Sequence, residues 1–109
     1  MHSKRFFTAV LMITSAMVCS AADAPAAYKQ CVNCHGPDGH GKTAYATKTP
    51  VPDFRSASVQ DLSDTELYDT IARGTRHRNY PHAFMLRGMK DQDVRELVQF
   101  VRSVGSQAK

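Results

Sequence analysis

The chain has 109 residues, enough for one small domain. Its 14 Lys+Arg against 10 Asp+Glu make it mildly basic. There is no long basic run and no basic stretch interleaved with aromatics, so nothing points to nucleic acid.

Residues 1–22 read as a cleaved signal peptide. Lys4 and Arg5 supply a positive start, Phe6 to Ile13 a short apolar run, and Ser20-Ala21-Ala22 the small residues that a signal peptidase cleaves after. The apolar run is far below the ~20 residues of a membrane span. Cleavage leaves 23–109 as the working domain, with no membrane span, in the periplasm or otherwise exported. It also removes Lys4, Arg5 and Cys19, so the mature charge falls and only Cys31 and Cys34 remain.

A short helix is expected from Ala24 to Asn33. Pro25 suits its first turn, and Ala, Lys and Gln propagate it. Tyr28 shares a face with Cys31. The run Cys31-Val32-Asn33-Cys34-His35 follows. This spacing reads as a covalent haem c attachment site. On a helix the two thiols lie about one turn apart and can reach one porphyrin edge, and His35 can turn to the iron as proximal ligand. Two rival chemistries share the motif. A thioredoxin-like dithiol expects a strand and a βαβ context, for which Asp23 to Gln30 is too short. A zinc site needs two further ligands, and His40, His77 and His82 form no recognisable second pair.

These residues resemble the class I c-type cytochromes. The resemblance rests on Cys31 to His35 with Gly36, on the Gly39/Gly41 turn, and on an amphipathic C-terminal run after a Pro-containing loop. It implies an all-α, cytochrome c-like fold: a short N-terminal helix crosses the C-terminal helix, and loops wrap one covalent haem c. It further implies an exported electron carrier whose partners are redox proteins.

Gly36 to Gly41 is a tight loop. Thr43 to Val59, broken by Pro50 and Pro52, reads as irregular chain with Val51 and Phe54 as packing anchors. Asp64 to Arg73 is a helix. Ser63 and Glu66 form its capping box, Leu67 and Ile71 face inward, and Gly74 stops it. Thr75 to Gly88 is the loop beside the haem's second face. Asp91 to Val104 is the last helix, capped by Asp91. Val94, Leu97, Val98, Val101 and Val104 form one apolar stripe bordered by Phe100.

The resembled family places a methionine next to a proline as sixth iron ligand. Here the matching dipeptide is Tyr80-Pro81. Met85 leads the candidates, followed by His82 and His77. Tyr80 as a phenolate is a further one, and an open distal site remains another. Met89 reads as core. An open site would suit a protein that binds a small gas or reduces peroxide, and a haem subunit of a larger oxidoreductase is a third reading. Exposed apolar surface on Val51, Phe54 or Phe84 would favour that third reading. Arg73, Arg76, Arg78 and Arg87 surround the loop. They are candidates for propionate pairing or for a positive patch that docks an acidic partner face.

Overall fold

The computed structural model describes residues 11–15, 23–76 and 82–107. The described residues are helical and contain no strand. Residues 11–15 lie exposed, and Leu11, Met12 and Ile13 are not among the buried core residues.

The N-terminal element differs from the single helix expected. Ala26–Gln30 is a 3-10 turn, and α1 (Val32–His35) follows after Cys31. The amide of Cys31 still donates three residues back, to the Tyr28 carbonyl at 2.8 Å. Only at His35 does the bond run four back, to Cys31 at 2.9 Å. A segment this short cannot offset the cost of nucleating an α-helix, so its tertiary contacts choose the tighter turn.

Those contacts come from α4 (Asp91–Gly105). Val94, Leu97, Val98, Val101 and Val104 are buried as the 3-4 spacing requires, and so is Phe100. The Tyr28 ring meets that of Phe100 with centroids 4.6 Å apart. The expected union of the two chain ends is therefore present, made by a 3-10 turn instead of a full helix.

Helix α3 (Asp64–Arg73) has the expected box. The Glu66 amide donates to Ser63 Oγ at 3.1 Å, and the Ser63 amide to Glu66 Oε2 at 2.8 Å. Gly74 ends it with φ 77°, in the left-handed region. Helix α4 is capped differently from expectation. The Lys90 amide donates to Asp93 Oδ2 at 3.1 Å. Asp91 instead accepts from the Tyr68 hydroxyl at 2.5 Å and from Arg95 at 2.8 Å, which ties α4 to α3.

The long loop carries two elements that its prolines concealed. One is a 3-10 turn, Tyr45–Thr47; the other is α2 (Ala57–Gln60). Gln60 links α2 to the core. Its Nε2 donates to the Phe54 carbonyl at 2.6 Å and the Val101 carbonyl at 3.0 Å, while Arg102 donates to the Gln60 carbonyl at 2.9 Å. The amide of Gln60 lies against the backbone of Gly105, where a Cβ would come within 2.2 Å of it. Gly105 therefore closes α4 from inside the helix and admits a neighbour's side chain.

Candidate functional site

Cys31 is the residue that precedes α1, and Cys34 and His35 complete its single turn. Both thiols are free of a disulfide and half-buried. Burial, and secondarily the neighbouring Cys34, push the Cys31 thiol up to about 11. His35 is only 8% exposed.

The three carbonyls that close this turn are each held by a different part of the chain. Thr43 Oγ1 donates to the Cys34 carbonyl at 2.9 Å. The Gly41 amide donates to that of His35 at 2.9 Å. The Tyr28 hydroxyl donates to that of Gly36 at 2.6 Å. These groups would otherwise be orphans of a helix end. Burial raises the Tyr28 phenol's ionisation well above its ordinary range, so the hydroxyl stays a donor.

The glycine loop brings Phe54 to His35. The Phe54 amide donates to the Gly39 carbonyl at 2.9 Å. A Cβ on Gly39, whose φ is 76°, would stand 2.6 Å from the Phe54 ring. With that space kept clear, the Phe54 ring packs on the imidazole of His35 at 4.6 Å between centroids.

Two clefts meet at His35. The larger, about 210 Å3, runs into the core between Val59, Leu67, Ile71 and Val101. The smaller, about 30 Å3, is lined by Cys34, Tyr45, Pro50 and Val51. Cys31, His35, His82 and Phe84 line both, so the clefts are two halves of one apolar slot. Both cysteines and the buried imidazole face its outer half. A flat apolar group with a metal at its centre and reactive carbons at one edge fits this donor set.

The second-face candidates separate. His82 stands opposite His35, with ring centroids 6.0 Å apart and planes 23° from parallel. Met85, the leading sequence candidate, is not brought to His35. It is 39% exposed, its Sδ accepts from the Tyr68 hydroxyl at 3.4 Å, and it lines neither cleft. Met89 is buried core, as expected. His77 and Tyr80 lie outside the described residues, as does Arg78.

Of the three residues whose exposure would mark a subunit of a larger enzyme, Phe54 and Phe84 are buried and Val51 is half-buried. Leu86 is exposed in their place, at 87%. The described arginines of this group are engaged. Arg73 pairs with Asp69 and Arg76 with Glu66. Arg87 stacks over the Phe84 ring at 4.2 Å and donates to the His82 carbonyl. Thr43 and Gln60 were both missed by sequence reasoning, and for Gln60 there was no local signal, since its partners lie on distant elements. For Thr43 a signal existed: its hydroxyl also accepts the Ala46 amide at 3.1 Å, the local turn that threonine favours.

A helical fold, without strands among the described residues, around an apolar slot with paired cysteines and an imidazole at its mouth defines a small haem-binding domain. The chain belongs to the cytochrome c family, whose model, described as Cytochrome c, matches residues 21–105. Comparison with curated proteins finds no match. Membership implies haem c and redox partners, and Cys31, Cys34 and His35 fit covalent attachment. No helix among the described residues is long and apolar enough to cross a membrane.

Proposed function

We propose that the chain is an exported carrier of single electrons that holds one haem c. Cys31 and Cys34 are its thioether anchors, and His35 is the proximal iron ligand. The observation that carries this reading is the common slot: a buried imidazole and two cysteines one turn apart line a single apolar cleft.

The chemistry that the bound haem supplies is a one-electron change at its iron. The chain's residues do the rest. Cys31 and Cys34 fix the edge of the porphyrin. His35 is oriented by the Phe54 ring and by the bonds that lock its turn. Val59, Leu67, Ile71 and Val101 exclude water from the inner half of the slot, and such a dry setting raises the cost of charge change and so sets the potential. Phe84 lines the slot beside His82, with Arg87 stacked on its ring.

Export is supported by the family match, which leaves residues 1–20 outside it, and by the exposed Leu11-Met12-Ile13 run that joins no core. In this reading residues 1–22 are the leader and 23–109 the mature domain. The partner is a redox protein that meets the slot's rim, where Arg76 and Arg87 are exposed to an acidic face.

The test is a potentiometric titration of the purified holoprotein. The expected result is a reversible one-electron transition with full recovery of the spectrum and no turnover of peroxide. Rapid peroxide consumption, or loss of the haem spectrum on cycling, would contradict a carrier.

A further inference from the structure

We propose that His82 is the second axial ligand, so that iron is held between two imidazoles. This rests on the haem reading above and names the residue that the family's usual methionine would otherwise supply.

Four observations converge. The first is spacing. Two metal–nitrogen bonds of about 2 Å, plus about 1.2 Å from each nitrogen to its ring centre, place coaxial imidazoles about 6.4 Å apart. The His35 and His82 centroids are 6.0 Å apart with planes 23° from parallel. Ordinary aromatic pairs also span this range, so spacing alone does not decide.

The second is position. The pair stands where the two clefts join, with apolar space on either side. A packing pair would be expected to fill space, whereas this one bridges a slot. The third is ligand count. Among the described residues no three His, Cys, Asp or Glu side chains converge to hold a bare ion. Two imidazoles are too few for one, but they are the number required by a metal that brings four in-plane nitrogens.

The fourth is how His82 is held. Ala83 has φ 42° and ψ 40°, a left-handed conformation costly for a residue with a Cβ. Such backbone persists where its surroundings over-determine it, and it is common at ligand clamps. Here the surroundings are visible. Phe84 is buried with its ring 5.8 Å from that of His82, and Arg87 covers Phe84 while donating to the His82 carbonyl. The rings of Phe54, His35, His82 and Phe84 thus follow one another across the slot, each within 4.6–6.0 Å of the next. The thioether that would compete is turned to Tyr68.

The consequence is a closed, six-coordinate iron with a lower potential than a Met/His pair gives. Small gases gain access only if His82 leaves.

The test uses holoprotein matured in a host that attaches haem c. Wild type, H82A, H82M and M85A are compared by electron paramagnetic resonance, near-infrared magnetic circular dichroism and carbon monoxide binding. Wild type is expected to be low-spin with a bis-imidazole signature and no sulfur-to-iron band. H82A becomes high-spin when oxidised and binds carbon monoxide when reduced, and added imidazole restores the low-spin spectrum. H82M gains the sulfur band and a higher potential. M85A is unchanged. A sulfur band in wild type, or an H82A spectrum identical to wild type, overturns the proposal while leaving the haem reading intact. Wild type without covalent haem overturns both. If H82A does not accumulate, the wild-type spectrum alone still decides between nitrogen and sulfur.

Discussion

Replacement of Tyr28 by phenylalanine removes one oxygen and little else. The ring is 2% exposed and keeps its contacts with Phe100 at 4.6 Å and Phe54 at 6.4 Å. What is lost is the 2.6 Å bond to the Gly36 carbonyl, directly after the histidine of the Cys31–His35 turn. A buried acceptor deprived of its donor costs about 1–3 kcal/mol. The Gly36 carbonyl retains a longer bond from the Gly39 amide at 3.3 Å, which puts the loss in the lower part of that range, about 1–2 kcal/mol. For a domain of this size such a loss lowers the melting temperature by roughly 4–16 °C. The assay is guanidinium unfolding of the holoprotein, followed by far-ultraviolet circular dichroism and by the Soret band. The expected result is an earlier midpoint with an unchanged slope, since the surface exposed on unfolding stays the same. A Y28F midpoint equal to or above that of wild type would refute the claim that this hydroxyl anchors the turn.

G105A sets two effects against each other. Alanine improves helix propensity by about 1 kcal/mol, but its Cβ displaces the Gln60 amide from the Phe54 and Val101 carbonyls, each bond worth about 1 kcal/mol with burial penalties added. Net destabilisation is expected by denaturant unfolding, and a more stable variant would contradict it. Asp53 gives a pH effect. The Arg55 side chain holds its carboxyl down at about 2. A carboxyl depressed on folding stabilises above its unfolded value, near 4, and that contribution is lost as pH falls toward 2. D53N should therefore be less stable than wild type at pH 7, by about 1 kcal/mol or less because the pair is partly exposed, and the two should converge near pH 2. A constant gap across that window would assign the effect elsewhere. The C31S/C34S double variant, lacking covalent haem, leaves the slot lining without its partner, and weak, non-cooperative helical dichroism is expected. A sharp thermal transition at wild-type amplitude would show that the chain folds without the haem.

The long periodic elements were legible because one principle governs each. Helix α3 announces itself by a capping box and a stopping glycine, and α4 by an apolar stripe at helical spacing. The Cys31–His35 motif stood out because covalent haem attachment would demand two thiols and an imidazole at fixed offsets. What sequence could not yield were features set by distant partners. Asp91 has the chemistry of a cap, yet Tyr68 and Arg95 claim it, and Asp93 caps instead. Gln60 reads as surface until α4 supplies carbonyls for it. Met85 and His82 lie three residues apart in one loop, and either can ligate iron. In the structure the imidazole, and not the thioether, is turned toward His35, next to a left-handed Ala83 and a buried Phe84. Loop geometry of that kind has no periodic signature.

The intact mass of the matured protein bears most directly on what this molecule is. The chain beginning at Asp23 is expected to be heavier than its polypeptide by one haem, an increment that survives denaturation because two thioethers hold it. A mass equal to that of the bare polypeptide, or lower by the two hydrogens of a Cys31–Cys34 disulfide, would contradict the covalent haem and with it the assignment as an electron carrier.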